Sequence, residues 1–416
     1  MSGDRLASVV VVGAGAAGLT AAIFAARAGT RPILLETRPV PGAKIRVSGG
    51  GRCNVLPSAA DLDDFDTGGS RNTLRNILRS WPLEEVRAFF EKELQIPLKV
   101  EPNGKVFPRS DRAQDVVAAL LGECGRTGVD LRGGSRVERV ERNALESGDS
   151  SLFRVQLASG GEPIECRRLV LATGGLSLPR TGSNGHGLEI ARSLGHSVRA
   201  VHPALVPLIA RDSSWGELAG ISLPARLRVL SDGRVVEERE GDFLFTHKGF
   251  SGPVVLDVSR LFTRPGAEGV RLEASWGAQD ANVWDALLRT QGKRNVAALL
   301  GQALPRRLAD RLIAQCGVPP ERTTSELRRD ERERLVKALT ACPLEVSLSE
   351  GYRTAEVTAG GIPLEEVNPR TLESKLVPGL HFSGEMLDAV GRIGGYNFLW
   401  AWVTGRLAGT ACAQAT

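Results

Sequence analysis

No two of the six cysteines, Cys53, Cys124, Cys166, Cys316, Cys342 and Cys412, form a Cys-x-x-Cys pair, so the chain offers neither a zinc knuckle nor a dithiol redox motif. No metal site is expected, and the scattered thiols suit a reducing, cytoplasmic setting. Apolar runs of about 18 residues are missing, which leaves no candidate membrane span. The apolar stretch from Val9 is interrupted by Gly13, Gly15 and Gly18 and has only Arg5 ahead of it, unlike a secretory leader. Lysine is scarce: with eight lysines among 53 basic residues, the remaining 45 are arginines. These are interleaved with acids, as where Arg306-Arg307 precede Asp310 and where Arg328-Arg329 lie between Glu326 and Asp330-Glu331. Such spacing describes solvated helix faces, not the contiguous stripe that RNA requires, so no nucleic-acid partner is expected despite a net charge of +5. Internal repeats and low-complexity tracts are absent as well.

What is present is a 416-residue globular chain with 42% hydrophobic residues and 48 glycines, long enough for two to three domains. Ser8 to Val12 reads as a strand buried on both faces, a glycine-rich turn and a helix closed by Gly29 follow, and Arg31 to Glu36 is a second strand: a βαβ unit. Amphipathic helices are expected over Leu74 to Leu94, broken at Pro82, and over Arg112 to Arg126. Val137 to Val140, Phe153 to Leu157 and Arg168 to Ala172 read as strands. From about His196 the character changes. Leu227 to Glu237 alternates across Asp232-Gly233 as a hairpin, with Asp242 to Thr246 and Val254 to Val258 continuing a β-rich region. Helices are expected at Val283 to Arg289, Val296 to Leu300, Arg306 to Cys316 and Thr324 to Ala338. After Val346 buried strands return, with a strand end at Leu380 to Glu385 and a closing helix over Asn397 to Ala413. The expected fold is α/β: a Rossmann-like domain of residues 1–195 and 347–416, interrupted by a β-rich domain, 196–277, and a helical domain, 278–346.

The first chemical signal is Gly13-Ala14-Gly15-Ala16-Ala17-Gly18. Gly13 permits a tight turn, Gly15 lets the backbone approach a diphosphate, and Gly18 allows the helix to pack closely on the strand. Glu36, eighteen residues after Gly18, is placed to accept hydrogen bonds from ribose hydroxyls. FAD and NAD share this pattern. A second segment, Gly42 to Asn54, is dense in glycine and cations; Lys44, Arg46 and Arg52 could face a diphosphate or a flavin edge. The strand that ends at Ala172-Thr173-Gly174 and the loop from Gly384-Glu385 to Gly394-Gly395-Tyr396-Asn397 look like further parts of a flavin site. The dipole of the last helix would stabilise negative charge at the reduced ring. Ala401, Gly405, Ala408 and Gly409 give that helix a small-residue face suited to packing on cofactor or sheet. Cys53 has no partner cysteine four residues away, so it reads as a packed or flavin-neighbouring thiol.

Taken together, Val10 to Gly29, Gly42 to Asn54, Gly104 to Pro108, Ala172 to Gly187, Pro203 to Leu208, Phe243 to Pro253 and Thr358 to Gly409 resemble the YhiN-like or BaiN-like flavoproteins, a group that includes aminoacetone oxidase. The resemblance spans nearly the whole chain and rests most firmly on Ser48-Gly49-Gly50-Gly51-Arg52-Cys53-Asn54 and Gly394-Gly395-Tyr396-Asn397. It implies an FAD domain of the glutathione-reductase type split by inserted domains. It implies that Gly13, Ala14, Gly15, Ala17, Gly18 and Glu36 hold the adenosine half of FAD. Lys44, Arg52, Cys53 and Asn54 would lie near the ribityl chain and ring, and Val137 would give backbone contacts to adenine. Thr173 and Gly174 would lie along the cofactor, Gly384 and Glu385 at the ribityl chain, and Gly395, Tyr396, Asn397 and Phe398 at the ring. The loop 384–393 departs from the family pattern after Val390 and near Ile393, positions that bear on the ring environment and so on substrate choice.

A flavin performs electron transfer itself, so few side chains need act on the substrate. The candidates are His247, whose ordinary pKa suits proton transfer, and Tyr396, beside the expected ring; the alternatives are a histidine that holds a turn and a packed tyrosine. His186 reads as loop structure. No second glycine motif follows a strand, so no separate nicotinamide domain is evident. The expected function is an FAD-dependent oxidase or dehydrogenase of a small organic substrate, with O2 or a transient NAD(P)H as redox partner. Two alternatives stand beside it: an NAD(P)H-dependent reductase of an unsaturated substrate, and a flavin-bound RNA-associated protein.

Overall fold

The computed structural model describes residues 6–144, 151–290 and 292–414. The chain divides into two compact units, Met1–His202 with Glu356–Thr416, and Pro203–Ala355.

In the first unit, β1 (Leu6–Val12) is followed by α1 (Ala16–Arg27) and β2 (Ile33–Leu35), which pairs parallel with β1. The short α2 (Ala43–Val47) lies in the glycine-rich loop, and α3 (Arg71–Arg79) and α4 (Leu83–Ala88) are parted at Pro82 as the sequence predicts. After α5 (Ala113–Thr127) come β3 (Asp130–Arg132), β4 (Val137–Ala144), β5 (Ser151–Leu157), β6 (Ile164–Leu171) and α6 (His186–Ser193). The chain then enters β7 (Arg199–Ala204). Val9, Val10 and Val11 are fully buried, as an apolar run within a sheet covered on both faces requires. Most of α1 is buried too, and its alanines leave room for another helix to come close.

The second unit is built on a seven-stranded sheet. Its strands are β8 (Leu208–Ala210), β9 (Ser222–Ser231), β10 (Arg234–Phe245), β11 (Gly249–Ser251), β12 (Arg271–Trp276), β13 (Cys342–Leu344) and β14 (Val346–Ser349), in the order β13-β12-β9-β10-β11-β8-β14. The predicted hairpin is β9–β10. Asp232 and Gly233 both have positive φ, 50° and 76°, the geometry that matches the twist of the flanking strands. Val254 to Val258, expected to extend the β region, instead forms the helix α7 (Pro253–Val258). Gly252 turns the chain at φ 91°, and Pro253, with no N–H to leave unpaired, occupies the first helical turn. The helices α8 (Arg260–Thr263), α9 (Ala281–Thr290), α10 (Val296–Leu300), α11 (Arg306–Gln315) and α12 (Arg329–Thr340) follow. The last begins five residues later than expected because Glu326 accepts hydrogen bonds from Thr323 N–H (3.2 Å) and Oγ1 (2.8 Å), closing a turn there. Phe243, Trp276, Leu308, Leu312 and Leu335 lie in one buried cluster, so sheet and helices of this unit share a core.

The chain returns to the first unit through β15 (Val357–Gly361), which pairs with β7, and β16 (Leu380–Phe382), which joins the main sheet beside β6. That sheet runs β3-β2-β1-β6-β5-β4 with β16 added at β6, its core strands parallel. In the closing helix α13 (Tyr396–Gln414), the two glycines of the small face pack on another helix. Gly405 and Gly409 pack on α1, where a Cβ on either would come within 2.4 Å and 2.1 Å of the Ala17 and Ala21 carbonyl oxygens. Two helices approach that closely only where side chains are missing.

Candidate functional site

At the carboxyl end of β1, Gly13 has φ 99°, and a Cβ there would lie 2.6 Å from the Ala172 carbonyl oxygen. One on Gly18 would lie 1.7 Å from the Gly13 carbonyl oxygen. Packing therefore fixes both glycines. Gly15 is different, because a Cβ added there meets nothing within 4 Å. Its open side faces the start of α1, where Leu19 makes the first main-chain bond of the helix, to Gly15 O at 2.9 Å, and the preceding N–H groups are left for an anion. Glu36 sits at the same tip, accepting from the Ala14 N–H and the Arg38 N–H, each at 2.8 Å. An open, donor-rich turn beside a carboxylate fits the diphosphate and ribose of a dinucleotide.

The loop 42–54 folds back against this turn, with the Gly42 N–H bonded to Ala14 O at 2.9 Å. Its basic residues already have protein partners. Lys44 Nζ donates to Glu385 Oε2 at 2.7 Å and to Ser177 Oγ at 2.6 Å. The Arg52 guanidinium lies 4.0 Å from the centre of the Phe107 ring and bonds Glu101 at 2.6 Å, and Arg46 Nε donates to Pro41 O at 3.3 Å. Cys53 has φ 62° and is wholly buried; burial pushes its thiol up to about 12, against a weaker opposing hydrogen bond with Ser48, so at neutral pH it is no nucleophile. Next to it, Asn54 Oδ1 is buried with no hydrogen-bond partner among the described residues. A buried acceptor left open in this way calls for a donor from outside the chain.

Two residues that sequence reasoning did not single out, Ser177 and Thr358, complete the site. Glu385 receives Lys44, the Ser177 hydroxyl at 2.8 Å and the Thr358 N–H at 2.6 Å. Burial works to raise its pKa, but these partners outweigh it and hold the carboxylate below its ordinary range. Thr358 Oγ1 in turn accepts the Leu176 and Ser177 N–H groups at 2.8 and 3.0 Å. Both residues fall inside stretches that carry the family resemblance, yet nothing in their spacing announces a shared carboxylate. Gly174 is adjacent, at φ 73°, with Glu385 Oε2 3.7 Å from where its Cβ would be. Thr173 bonds the Met386 sulfur at 3.2 Å. A Cβ on Gly384 would approach the Ala17 Cβ to 2.8 Å.

At the start of α13, Gly395 packs against the main chain of Leu56, and the Tyr396 ring stands perpendicular to Phe65 at 5.8 Å. Asn397 bonds the main chain of Gly391 twice, accepting from its N–H and donating to its carbonyl, each at 2.8 Å. It thereby holds the loop. Phe398 stacks on Trp402 at 5.5 Å. Thus the Gly13–Gly18 turn, Glu36, Lys44, Thr173, Gly174, Gly384 and Glu385 are drawn together from segments hundreds of residues apart. Val137 is buried at the head of β4, opposite Leu157. His247 belongs to the second unit, exposed on the Thr246–Gly249 turn, and His186 bonds Glu138 O at 2.7 Å at the start of α6. Among the described residues no helix is long and apolar enough to cross a membrane.

A sheet with parallel core strands, a glycine turn, the Glu36 carboxylate at its tip and a closing helix is a Rossmann-like cofactor domain, here that of an FAD-dependent oxidoreductase. The chain belongs to the family of the HI0933-like protein Rossmann domain, whose model matches residues 7–411. It is 33% identical to the ribosomal RNA dihydrouridine synthase of Escherichia coli strain K12, over 97% of this chain and 96% of that one. It is also 33% identical to the 3-dehydro-bile acid delta(4,6)-reductase of Clostridium scindens, over 97% and 98%. Among solved structures, an open flavocytochrome c3 fumarate reductase matches with a TM-score of 0.51 at 16% identity, covering 98% of this chain and 78% of that one. The 3-ketosteroid delta1-dehydrogenase of Sterolibacterium denitrificans matches with a TM-score of 0.51 at 14% identity, covering 99% and 100%. At these identities the structures share the fold.

Proposed function

We propose that this protein is an FAD-dependent reductase of a carbon–carbon double bond conjugated to a carbonyl within a ring. The observation that carries this reading is the pair of relatives with equal identity. A dihydrouridine synthase, by its name, saturates the ring double bond of a uracil, and a 3-dehydro-bile acid delta(4,6)-reductase acts on double bonds conjugated to a ring ketone. The two substrates differ in everything but that grouping. This favours the reductase reading over the oxidase or dehydrogenase expected from the sequence.

FAD, when bound, supplies two-electron transfer. The chain's part is to hold it and to manage one proton. The N–H groups that open α1 would bind the diphosphate, and Glu36 the adenosine ribose. Lys44, Gly174, Gly384 and Glu385 would line the ribityl chain, while Cys53, Asn54, Gly395, Tyr396, Asn397 and Phe398 would border the ring, with Val137 at the adenine. Tyr396 Oη is our candidate proton donor to the substrate carbon next to the carbonyl, and His247 is the second candidate. A small cyclic enone is favoured over a uracil in RNA because many arginines of the second unit are paired with acids. Arg329 pairs with Glu333 at 2.8 Å, Arg334 with Asp330 at 2.7 Å and Arg289 with Asp285 at 2.7 Å.

The test is anaerobic. NADH, NADPH and a panel of amines are each added to the holoprotein, and any reduced flavin is then offered a cyclic enone or uridine-containing RNA. Bleaching by a nicotinamide and recovery of the yellow colour by the enone support the proposal. Bleaching by an amine alone returns the oxidase, and recovery by RNA alone moves the substrate to a nucleic acid.

A further inference from the structure

The strand β15 carries the chain back from the second unit. Thr358, its second residue, is 2% exposed, and its N–H and its hydroxyl oxygen both bond residues that would adjoin the cofactor. Its N–H donates to Glu385 Oε1 at 2.6 Å, and its hydroxyl oxygen accepts the Leu176 and Ser177 N–H groups. The contact is close enough to exclude a side chain opposite: a Cβ on Gly175 would lie 2.4 Å from Thr358 Oγ1. Ser177 then passes the restraint on, donating to Glu385 Oε1 and accepting from Lys44 Nζ. Three segments, at 176–177, 358 and 385, are thus joined at one threonine, and Lys44 bonds two of them. A carboxylate and an ammonium that would each swing freely are fixed before any ligand arrives, and binding then costs less ordering.

The same strand is joined to the cofactor loop downstream. The Ile362 N–H donates to Met386 O, and the Asp388 N–H to Ile362 O, each at 2.8 Å. On the paired strand β7, Arg199 Nε lies 3.0 Å from Asp388 Oδ2. The loop 384–388 is therefore braced by both strands of the β7–β15 ribbon.

We infer that Thr358 is a positioning residue of the FAD site, fixing the 174–177 turn and the Glu385 carboxylate from outside the pocket. This rests on the placement of FAD against Gly174 and Glu385 given above. The hydroxyl acts as an acceptor, so Thr358→Val, of nearly equal volume, leaves the buried Ser177 N–H and the partly buried Leu176 N–H unpaired, whereas Thr358→Ser keeps the oxygen.

The experiment titrates FAD into apoprotein and follows quenching of flavin fluorescence. We expect Thr358→Val to weaken FAD binding at least tenfold, about 1.4 kcal/mol, and to shift the visible bands of the flavin that still binds. Thr358→Ser should lie within about threefold of the unaltered chain, and its flavin spectrum should be unchanged. Wild-type affinity and spectrum in Thr358→Val would overturn the inference, as would equal losses in both variants. If Thr358→Val does not fold, amide exchange of the unaltered protein decides: Leu176 and Ser177 amides already slow without FAD support the inference, and amides that exchange freely until FAD is added sink it. An unaltered chain that binds no FAD at all defeats the cofactor placement itself, an outcome distinct from the others.

Discussion

Both units of this chain contain buried aromatic clusters and tight glycine contacts, and the units differ in where they use them. Phe24, Trp81, Phe89, Phe90 and Trp402 are packed ring against ring in the first, and Gly249 and Gly252 meet main chain in the second. In the second unit, large aromatic side chains fill the centre: Phe243 stands perpendicular to Trp276 at 5.2 Å, and Phe245, Phe250 and Trp284 are buried around the same sheet. In the first, side chains are missing where the chain is most crowded. Gly13 and Gly18 bring main chain onto main chain at the cofactor turn, and Gly405 and Gly409 do so between α13 and α1. An aromatic core tolerates small errors in position by repacking. Backbone-to-backbone contact does not, and that rigidity holds the turn with its Gly15 side open. The largest effect should therefore come from Gly409→Val in the first unit, which forces atoms within 2.1 Å of the Ala21 carbonyl oxygen. We expect a loss of about 3 kcal/mol or more, seen as early unfolding of the first unit in native-state hydrogen exchange while the amides of β9 and β10 stay protected. Uniform loss of protection would show that the two units do not unfold separately.

That contrast was only half visible in the sequence. The fold of the first unit was legible because its signals are local: a β-branched run, a glycine turn and an acid at the end of the next strand. The hairpin at Asp232-Gly233 was legible for the same reason, since its two residues alone set the turn. Val254 to Val258 misled because a short run of valine and leucine suits a strand or a helix equally, and only the preceding Gly252-Pro253 decides. The site itself was harder to read. Lys44 looked like a free cation because its partner, Glu385, lies 341 positions away, and the threonine that steadies Glu385 is neutral and unremarkable in its neighbourhood. Charge pairing across such distances leaves no period in a sequence.

The units should also differ in their response to acid. His381, on β16, is 1% exposed, and burial lowers its pKa from 6.5 to about 4. The unfolded chain takes up this proton first as the pH falls. The stability contributed by neutral His381 is thus complete above about 6.5 and is lost progressively as the pH drops through about 4, by up to about 3 kcal/mol. His196 acts in the same direction, its pKa lowered by burial despite the Glu366 carboxylate at 2.7 Å. Asp388 opposes them: burial raises its pKa to about 6, so its contribution is full below about 3.8 and declines as the pH rises through 6. The difference between the chain and His381→Leu isolates the first term. The variant should lose less stability between pH 6.5 and 4 in denaturant titrations, and parallel curves would refute the assignment. The second unit has no buried histidine among the described residues, so the histidine contribution is confined to the first.

Gly15 sharpens the comparison from the other side, because it is the glycine of the turn that packing does not require. We expect Gly15→Val to leave the melting temperature of the apoprotein within about 2 °C and to weaken FAD at least 100-fold, about 2.7 kcal/mol, by placing methyl groups where the proposed site would hold the diphosphate. Loss of apoprotein stability in equal measure would mean that the open side of the turn is occupied by the chain. Retained affinity would move the diphosphate elsewhere. Tyr396→Phe belongs beside it: turnover of the enone should fall about 100-fold with FAD affinity held, whereas a fall seen only in His247→Ala would transfer the proton to the second unit.

The smallest effect should come from a surface contact of the second unit. The Arg311 guanidinium lies 4.1 Å from the centre of the Trp215 ring and donates to Asp212 Oδ2 at 2.8 Å, fastening α11 to the segment that follows β8. Arg307, one turn earlier, donates to the Glu217 carbonyl at 2.9 Å. Because Arg311 is partly exposed and its carboxylate partner more so, the ion pair adds little, and the ring contact should account for most of the loss. Arg311→Ala should cost about 1 kcal/mol, read by exchange of amides in α11. Arg311→Lys should recover only part of it, since an ammonium cannot lie flat on the indole. FAD affinity should not change in either variant. A change there would be the more telling result, because it would mean that the aromatic core and the glycine-built cofactor unit share their stability, and that the contrast between them ends at the ribbon that joins their chains.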